Sequence, residues 1–175
     1  MIELMILYVL LNHDLTMYAI HKRIKENFLA YTNPSFGAIK PALVRLEKQN
    51  SITSAKVMSG GGKLSIFYTI TKDGLKELKE LLLKPLSQNP LQFMSDARVK
   101  ISCLSFLDSE DCAEVLFDLK SNALLHLVNA ENILSDEYTP LTFYQRIVLD
   151  NSICEYKNFI SMIEGLEKDN AGNSK

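Results

Sequence analysis

One stretch of the chain decides the fold. It runs from Ser35 to Phe67 and reads SFGAIKPALVRLEKQNSITSAKVMSGGGKLSIF. Its first part has the apolar spacing of an amphipathic helix, and residues 52–58 and 64–70 have the composition of short β-strands. The glycines between the strands accept the positive φ angles of a tight turn. A helix followed by a two-stranded basic hairpin predicts a winged helix-turn-helix.

The predicted helix has one apolar side and one cationic side, because successive residues are 100° apart around its axis. The apolar side consists of Phe36, Ile39, Leu43 and Leu46. The outward side consists of Lys40, Val44, Arg45 and Lys48. Pro41 lies within this helix, and an interior proline costs about 3 kcal/mol. We therefore expect a loosened start around residues 37–40, with Ser35 as the N-cap.

Other helices are predicted on both sides of this stretch. Residues 3–11 are apolar nearly all round, so this helix needs cover on several sides, and a dimer partner is one candidate. Thr16 is expected to cap a helix over residues 17–28, in which Tyr18 is expected to join the core. Thr71 is expected to cap a helix that continues to about Lys84.

The charge of the chain is divided unevenly. The net charge is −2, yet residues 1–85 carry twelve Lys and Arg against seven Asp and Glu, and residues 86–175 carry seven against fourteen. Attraction to phosphate depends on the local field rather than on the whole-chain sum. The first half therefore suits a polyanionic partner, although a solvated basic surface explains the same numbers.

The second half carries only helix signals. Helices are predicted over residues 91–106, 109–135 and 141–167, after a linker at 85–90 that Pro85 and Pro90 bracket. This gives a mainly α protein with a small β-hairpin: a winged helix-turn-helix domain at 1–84, an all-helical dimerisation domain at 91–169 and a polar tail at 170–175. A 3.5-residue apolar repeat in the last helix predicts a dimer interface. Its residues are Leu149, Ile153, Tyr156, Ile160 and Ile163.

Three segments together resemble the PadR family of bacterial transcriptional regulators: LTMYAI at 15–20, GAIKPALVRLE at 37–47, and FYTITKDG at 67–74. The resemblance implies a DNA-binding homodimer, often a repressor, that responds to a small molecule or a partner. The chain departs from the family pattern at Lys40, where tyrosine is usual, and at Met17, where glycine is usual. It also lacks the tryptophan that the last helix of the family usually carries.

Both the resemblance and the residues predict that the third helix enters the major groove while nearby cations hold phosphates. The expected contacts are Lys40, Val44, Arg45 and Lys48 from that helix, Ser35 and the amide of Phe36 at its start, Lys56 and Lys63 from the wing, and Lys22 and Arg23 from the second helix. A dimer would place two such helices about 34–36 Å apart on a pseudo-palindrome.

Other ligands and functions have weaker signals. An effector pocket is expected from aromatic and Met side chains, of which Phe93, Met94, Phe117 and Tyr144 are the leading candidates, although such residues also build ordinary cores. Cys103, Cys112 and Cys154 form no metal-binding or disulfide pattern, so no metal and no cofactor are expected. No catalytic motif is present, no membrane span is predicted, and a cytoplasmic location is expected. A protein-interaction module remains the alternative.

Overall fold

The computed structural model of the protein describes residues 1–58, 62, 64–138 and 140–173, with no description of the Asn173 side chain. The chain forms two compact units. The first comprises Met1–Leu86 and Leu91–Phe106, and the second comprises Ser87–Pro90 and Leu107–Lys175. This division differs from the predicted domain boundaries, because residues 91–106 group with the first unit. The predicted domain boundary at residues 85–90 remains a prediction.

The first unit contains five α-helices and three strands among the described residues. In chain order they are α1 (Ile2–Val9), β1 (Leu15–Thr16), α2 (Met17–Phe28), α3 (Phe36–Lys48), β2 (Ile52–Met58), β3 (Leu64–Ile70), α4 (Lys72–Leu83) and α5 (Pro90–Ser102). The bounds of α2, β2 and β3 are those predicted. The prediction of one helix over residues 91–106 was wrong at its end, since a short 3₁₀ helix, Leu104–Phe106, follows α5.

The sheet has three antiparallel strands in the order β1-β3-β2. The hairpin register pairs Ile52 with Ile70 and Lys56 with Ile66. The strand that the sequence did not predict is β1, whose Thr16 pairs with Phe67. Thr16 also caps α2, because its hydroxyl accepts a hydrogen bond from the Ala19 amide at 3.3 Å. One residue therefore joins the second helix to the wing.

The start of α3 differs from the prediction in two ways. The helix is regular from Phe36 onward with Pro41 inside it, so the expected loosened start was wrong. The carbonyl that loses a helical partner to Pro41 belongs to Gly37, which lies exposed in the first turn where water can satisfy it. Ser35 stands at the N-cap position, but its side chain makes no capping bond. Instead its carbonyl accepts from the Ala38 amide at 3.0 Å.

The core of the first unit is formed where α1 packs on α2, α3 and α4. The contacts within this unit thus provide cover for α1, the helix for which a dimer partner was considered. The fully buried side chains of this core include Leu4, Ile6, Leu7, Ile20, Ile24, Phe28, Ile39, Leu43, Leu46, Leu78 and Leu82.

The hairpin base is fixed against α4. Thr71 caps α4 by accepting from the Gly74 amide at 3.0 Å, and its own amide donates to the Ser51 carbonyl at 3.0 Å. Gly74 lies so close that a Cβ there would be 2.0 Å from the Ser51 carbonyl oxygen. Only glycine therefore fits at this contact.

The second unit is built from α6 (Ser109–Ser135) and α7 (Phe143–Asn173). The predicted α6 is confirmed, with Asp108 as its cap through the Asp111 amide at 3.0 Å. Helix α7 continues to Asn173, into the predicted polar tail at 170–175. Both helices bury an apolar stripe against each other, formed by Leu116, Leu119, Ala123, His126, Ile153, Tyr156, Phe159 and Ile163.

Candidate nucleic-acid interface

The outward face of α3 is exposed and cationic at the positions that the periodicity predicted. Lys40, Val44 and Lys48 all lie in solvent, and the Val44 side chain is 45% exposed. The opposite face, which includes Ile39 and Leu43, is buried. The two lysines therefore flank an apolar centre, an arrangement that can hold phosphates at the edges and contact thymine methyl groups between them.

Arg45 lies at the border of this face, and its guanidinium is already engaged. Its Nε donates to Glu3 Oε1 over 2.9 Å, and a second guanidinium nitrogen donates to the same oxygen. Burial raises the pKa of Glu3, but the hydrogen bonds and the positive charge of Arg45 outweigh it and leave the pKa below its usual value. Helix α1 thus holds the side chain of Arg45, which is 55% exposed, and its predicted contact with DNA stays a prediction.

The beginning of α3 exposes a hydroxyl group and an aromatic ring. Ser35 is exposed with its hydroxyl free of a capping role, and Phe36 is 41% exposed. The Phe36 ring meets the His21 imidazole edge to face, with centroids 5.3 Å apart. This contact corrects the sequence interpretation, which placed Phe36 on the buried side. It also joins the first turn of α3 to α2.

On α2 the predicted cations are exposed and share one carboxylate. Lys22 Nζ lies 3.8 Å from one oxygen of Glu26, and Arg23 Nε lies 3.9 Å from the other. Both distances exceed a normal hydrogen bond and all three side chains are about half exposed or more, so the pairing contributes little. Both cations remain available to a phosphate.

Tyr18 is a second residue that sequence reasoning misplaced. It was expected in the core, yet its side chain is 71% exposed at the start of α2. The periodicity contained the signal: Ile20, Ile24 and Phe28 define the buried stripe, and a residue two positions before Ile20 lies 200° around the helix from it. Its phenolic hydroxyl is a possible phosphate donor beside the cations of α2.

The wing presents Lys56 together with apolar side chains. Lys56 is exposed and pairs across the hairpin with Ile66, while Met58 pairs with Leu64. These side chains share a face with Ser54, whose hydroxyl donates to Glu47 of α3 at 2.5 Å. The wing surface next to α3 thus has one described cation. Lys63, the predicted tip contact, lies outside the described residues.

The four residues predicted for an effector pocket are divided between the two units. Phe93 and Met94 are buried in the first unit. Phe117 and Tyr144 belong to the second unit, are 63% and 79% exposed, and line separate cavities. Their common role in an effector pocket stays a prediction.

The predicted dimer stripe is also used within the chain. Ile153, Tyr156 and Ile163 are buried in the second unit, whereas Leu149 and Ile160 are partly exposed. The Tyr156 ring stacks on His126, with centroids 5.6 Å apart and planes 18° apart. Burial lowers the pKa of His126. The role of these five residues in a dimer interface stays a prediction.

The cysteines and possible metal ligands form no site in the part of the chain that the structure describes. Burial raises the pKa of Cys103 to about 12, and burial with the charges of Asp108 and Asp111 raises the pKa of Cys112. Neither thiol is thus activated as a thiolate. Among the described residues, no three His, Cys, Asp or Glu side chains lie together as a metal site. None of the described helices is both long and apolar enough to cross a bilayer.

The sequence of the first unit matches a known family. Residues 6–80, which span α1 from Ile6 through the wing and most of α4, match the transcriptional regulator PadR-like family. This part of the chain is similar to a PadR-like domain. The resemblance stated from the sequence is confirmed, and the winged helix with a three-stranded sheet is the fold of this domain. The PadR-like family consists of transcriptional regulators and not of enzymes, as predicted.

Solved structures of PadR proteins match the chain at 20–28% identity and with TM-scores below 0.5. PadR of Bacillus subtilis in complex with operator DNA is 22% identical, with 96% of this chain and 98% of that chain covered and a TM-score of 0.45. The same protein with p-coumaric acid is 20% identical, with 97% and 98% covered and a TM-score of 0.43. A PadR family regulator from Clostridium difficile is 28% identical, with 45% and 80% covered and a TM-score of 0.40. No curated protein sequence matches the chain.

Proposed function

We propose that the protein is a homodimeric repressor that binds pseudo-palindromic operator DNA in the cytoplasm. In this proposal α3 enters the major groove and the β2–β3 hairpin contacts the minor groove. The observation that carries it is the exposed face of α3, where Lys40 and Lys48 flank Val44 inside a PadR-like domain. A helix fits the width of the major groove, and cations at the edges of this face can contact the phosphates on either side.

The contacts around α3 extend this proposed interface. Lys22, Arg23 and Tyr18 line the neighbouring surface of α2, and each has a donor group in solvent. Phosphate contacts of this kind position a protein on the duplex without reading its sequence. Specificity is then left to the centre of the α3 face and to the wing.

A homodimer is supported by a second apolar stripe on α6. Phe117, Leu124 and Val128 are spaced seven and four residues apart and are 63%, 44% and 50% exposed. This stripe lies on the side of α6 away from the residues buried against α7. At the start of α7, Phe143, Tyr144 and Val148 are more than two-thirds exposed. We propose that a second copy covers these side chains, because so much exposed apolar surface is unusual for a monomer.

The direct test is a fluorescence anisotropy titration against DNA from upstream of the protein's own gene and against scrambled DNA at two salt concentrations. The proposal expects tighter binding to the upstream DNA that persists at the higher salt. Lys40→Ala with Lys48→Ala should weaken it at least tenfold and reduce the salt slope by about two. Lys76→Ala is the matched control, since Lys76 is an exposed cation on α4 paired with Asp73. Equal binding to both DNAs, abolished by salt, would contradict a sequence-specific repressor.

One observation favours the alternative of a protein-interaction module. The wing side chains of Met58 and Leu64 are 69% and 53% exposed, and they face each other across the hairpin. Apolar side chains in such a position suit a protein partner as well as a DNA groove. Loss of all DNA binding at low salt would favour this module.

A further inference from the structure

The outer part of the wing carries an apolar patch on one face. Strand β2 ends at Met58 and β3 begins at Leu64, and these two residues pair directly across the hairpin. Ile66 lies on the same face, because side chains alternate between the two faces of a strand. Met58, Leu64 and Ile66 are 69%, 53% and 41% exposed. None of the DNA contacts proposed for α2 and α3 uses this patch.

A positive charge lies beside the apolar patch. Lys56 precedes Met58 by two residues on the same face and pairs with Ile66 across the hairpin. Its side chain is exposed, and the described residues of this face from Lys56 outward include no Asp or Glu. A cation next to apolar side chains complements DNA, because phosphates line the groove and the stacked base pairs lie between them.

The hairpin behind the patch is held on both faces. On the face that carries Lys56, the Ser54 hydroxyl donates to Glu47 of α3 at 2.5 Å. On the opposite face, the Thr69 hydroxyl donates to Asp14 at 2.7 Å. The hairpin is therefore preorganised, and little conformational entropy is left to lose when its outer end binds a partner.

The size of the patch favours DNA over a protein as its partner. Specific protein–protein interfaces bury at least about 1,200 Å² in total. Three side chains at the outer end of a hairpin supply only a small part of that area. Proteins that kink DNA through the minor groove, by contrast, insert single apolar side chains such as methionine, leucine or isoleucine between base pairs.

We propose that Met58 and Leu64 form an apolar wedge that inserts between two base pairs from the minor groove and kinks the operator. This inference rests on the proposed DNA-binding function, in which the hairpin contacts the minor groove. Lys56 pairs with a phosphate at the edge of that groove. Pyrimidine–purine steps are the easiest to unstack, so the wedge selects such a step in each half-site without hydrogen bonds to its bases.

The kink is tested by energy transfer between dyes at the two ends of the upstream DNA, at saturating protein. The wild type should raise the transfer efficiency, because a kink of about 20–90° brings the ends closer together. Met58→Ser with Leu64→Ser should lose at least half of this rise. No rise with the wild type, or an equal rise with the double variant, would overturn the wedge.

Two control variants separate the wedge from other effects of the substitutions. Val57 is 47% exposed but lies on the opposite face of the hairpin, so Val57→Ser should bend the DNA as the wild type does. Met58→Leu keeps a large apolar side chain at the wedge and should also preserve the kink. Loss of the kink in either control would overturn the wedge.

The position of the kink is located with permanganate, which oxidises unstacked thymines. One pyrimidine–purine step in each half-site should become at least threefold more reactive with the wild type and not with the double variant. Replacing that step by a purine–pyrimidine step should weaken binding by the wild type at least threefold and change binding by the double variant less than twofold. Equal weakening of both proteins would overturn the wedge.

Failure of the wedge and failure of the proposed function give different results. Specific binding that depends on Lys40 and Lys48 but leaves the DNA straight would overturn the wedge alone and leave the patch to a protein partner. Equal binding to the upstream and scrambled DNA, abolished by salt, would contradict the proposed repressor and the wedge together.

Discussion

Glu3 at the start of α1 holds Arg45 near the end of α3, with Glu3 Oε1 and Arg45 Nε 2.9 Å apart. The two residues are 42 positions apart in the chain, and the Glu3 side chain is 24% exposed against 55% for Arg45. The pair therefore fixes the direction of the arginine at the edge of the proposed DNA-binding surface. It also places one negative charge where DNA would approach.

Glu3→Gln should raise the affinity for DNA. The change removes an anion near the phosphates and weakens the hydrogen bonds that hold Arg45. We therefore expect two- to tenfold tighter binding to scrambled DNA and a steeper salt dependence. Stability should fall by no more than about 1 kcal/mol, because the pair is partly exposed. Anisotropy titrations and urea denaturation measure the two effects. Weaker binding confined to the upstream DNA would show instead that Glu3 orients Arg45 for reading a base.

Tyr18→Phe should weaken DNA binding without destabilising the protein. The hydroxyl lies in solvent on a side chain that is 71% exposed, so its loss removes one phosphate contact, worth about 1 kcal/mol or fivefold in affinity. The same substitution at Tyr138, which is 97% exposed in the second unit, is the matched control. An equal affinity of Tyr18→Phe and the wild type at low salt would exclude the contact.

Gly74→Ala should destabilise the first unit by about 1–3 kcal/mol, because the new methyl group would overlap the Ser51 carbonyl. Gly165→Ala serves as the control, since nothing lies within 4 Å of a Cβ there. Within α7 the alanine should instead stabilise by up to about 1 kcal/mol. Thermal unfolding followed by circular dichroism compares the two variants. Two shifts of the same sign and size would contradict the close approach at Gly74.

The stability of the second unit should fall as the pH drops below 6.5. Burial beside Tyr156 lowers the pKa of His126, so the folded state holds the neutral imidazole while the unfolded state takes up a proton first. The loss of stability begins when the pH falls to the ordinary histidine pKa and ends at the lowered pKa of His126 in the folded state. Its slope is at most about 1.4 kcal/mol per pH unit. Urea denaturation between pH 8 and pH 5 measures it. His126→Phe should flatten the dependence of stability on pH. An unchanged dependence in this variant would assign it to other titratable groups.

Charge placed on the second apolar stripe of α6 should separate the proposed dimer. Leu124→Glu with Val128→Glu should give monomers at micromolar concentration by light scattering, because each carboxylate would have to be desolvated at the interface. Asn129→Glu, at a neighbouring exposed position, should leave the dimer intact. Far-ultraviolet circular dichroism checks that the helices persist. A wild type that is monomeric in the same assay would refute both the stripe assignment and the half-site geometry.

Several elements were predictable because their signals are local. The bounds of α2, α6, β2 and β3 follow from caps such as Thr16 and from apolar periods of 3.6 or two residues. The exposed centre of α3 at Lys40, Val44 and Lys48 follows from the same arithmetic. Strand β1 was missed because two residues carry no periodicity, and their pairing depends on β3 more than fifty residues later.

The sequence alone determined the kind of domain and the solvent-exposed face of α3, because amphipathic spacing, caps and glycine positions act over a few residues. Only the tertiary structure decided which exposed groups are free. Glu3 takes Arg45, Phe36 meets His21, and Arg23 lines a cavity that ends at Phe106. These relationships join residues far apart in the chain. They depend on how the helices pack around one core, and no local pattern in the sequence encodes them.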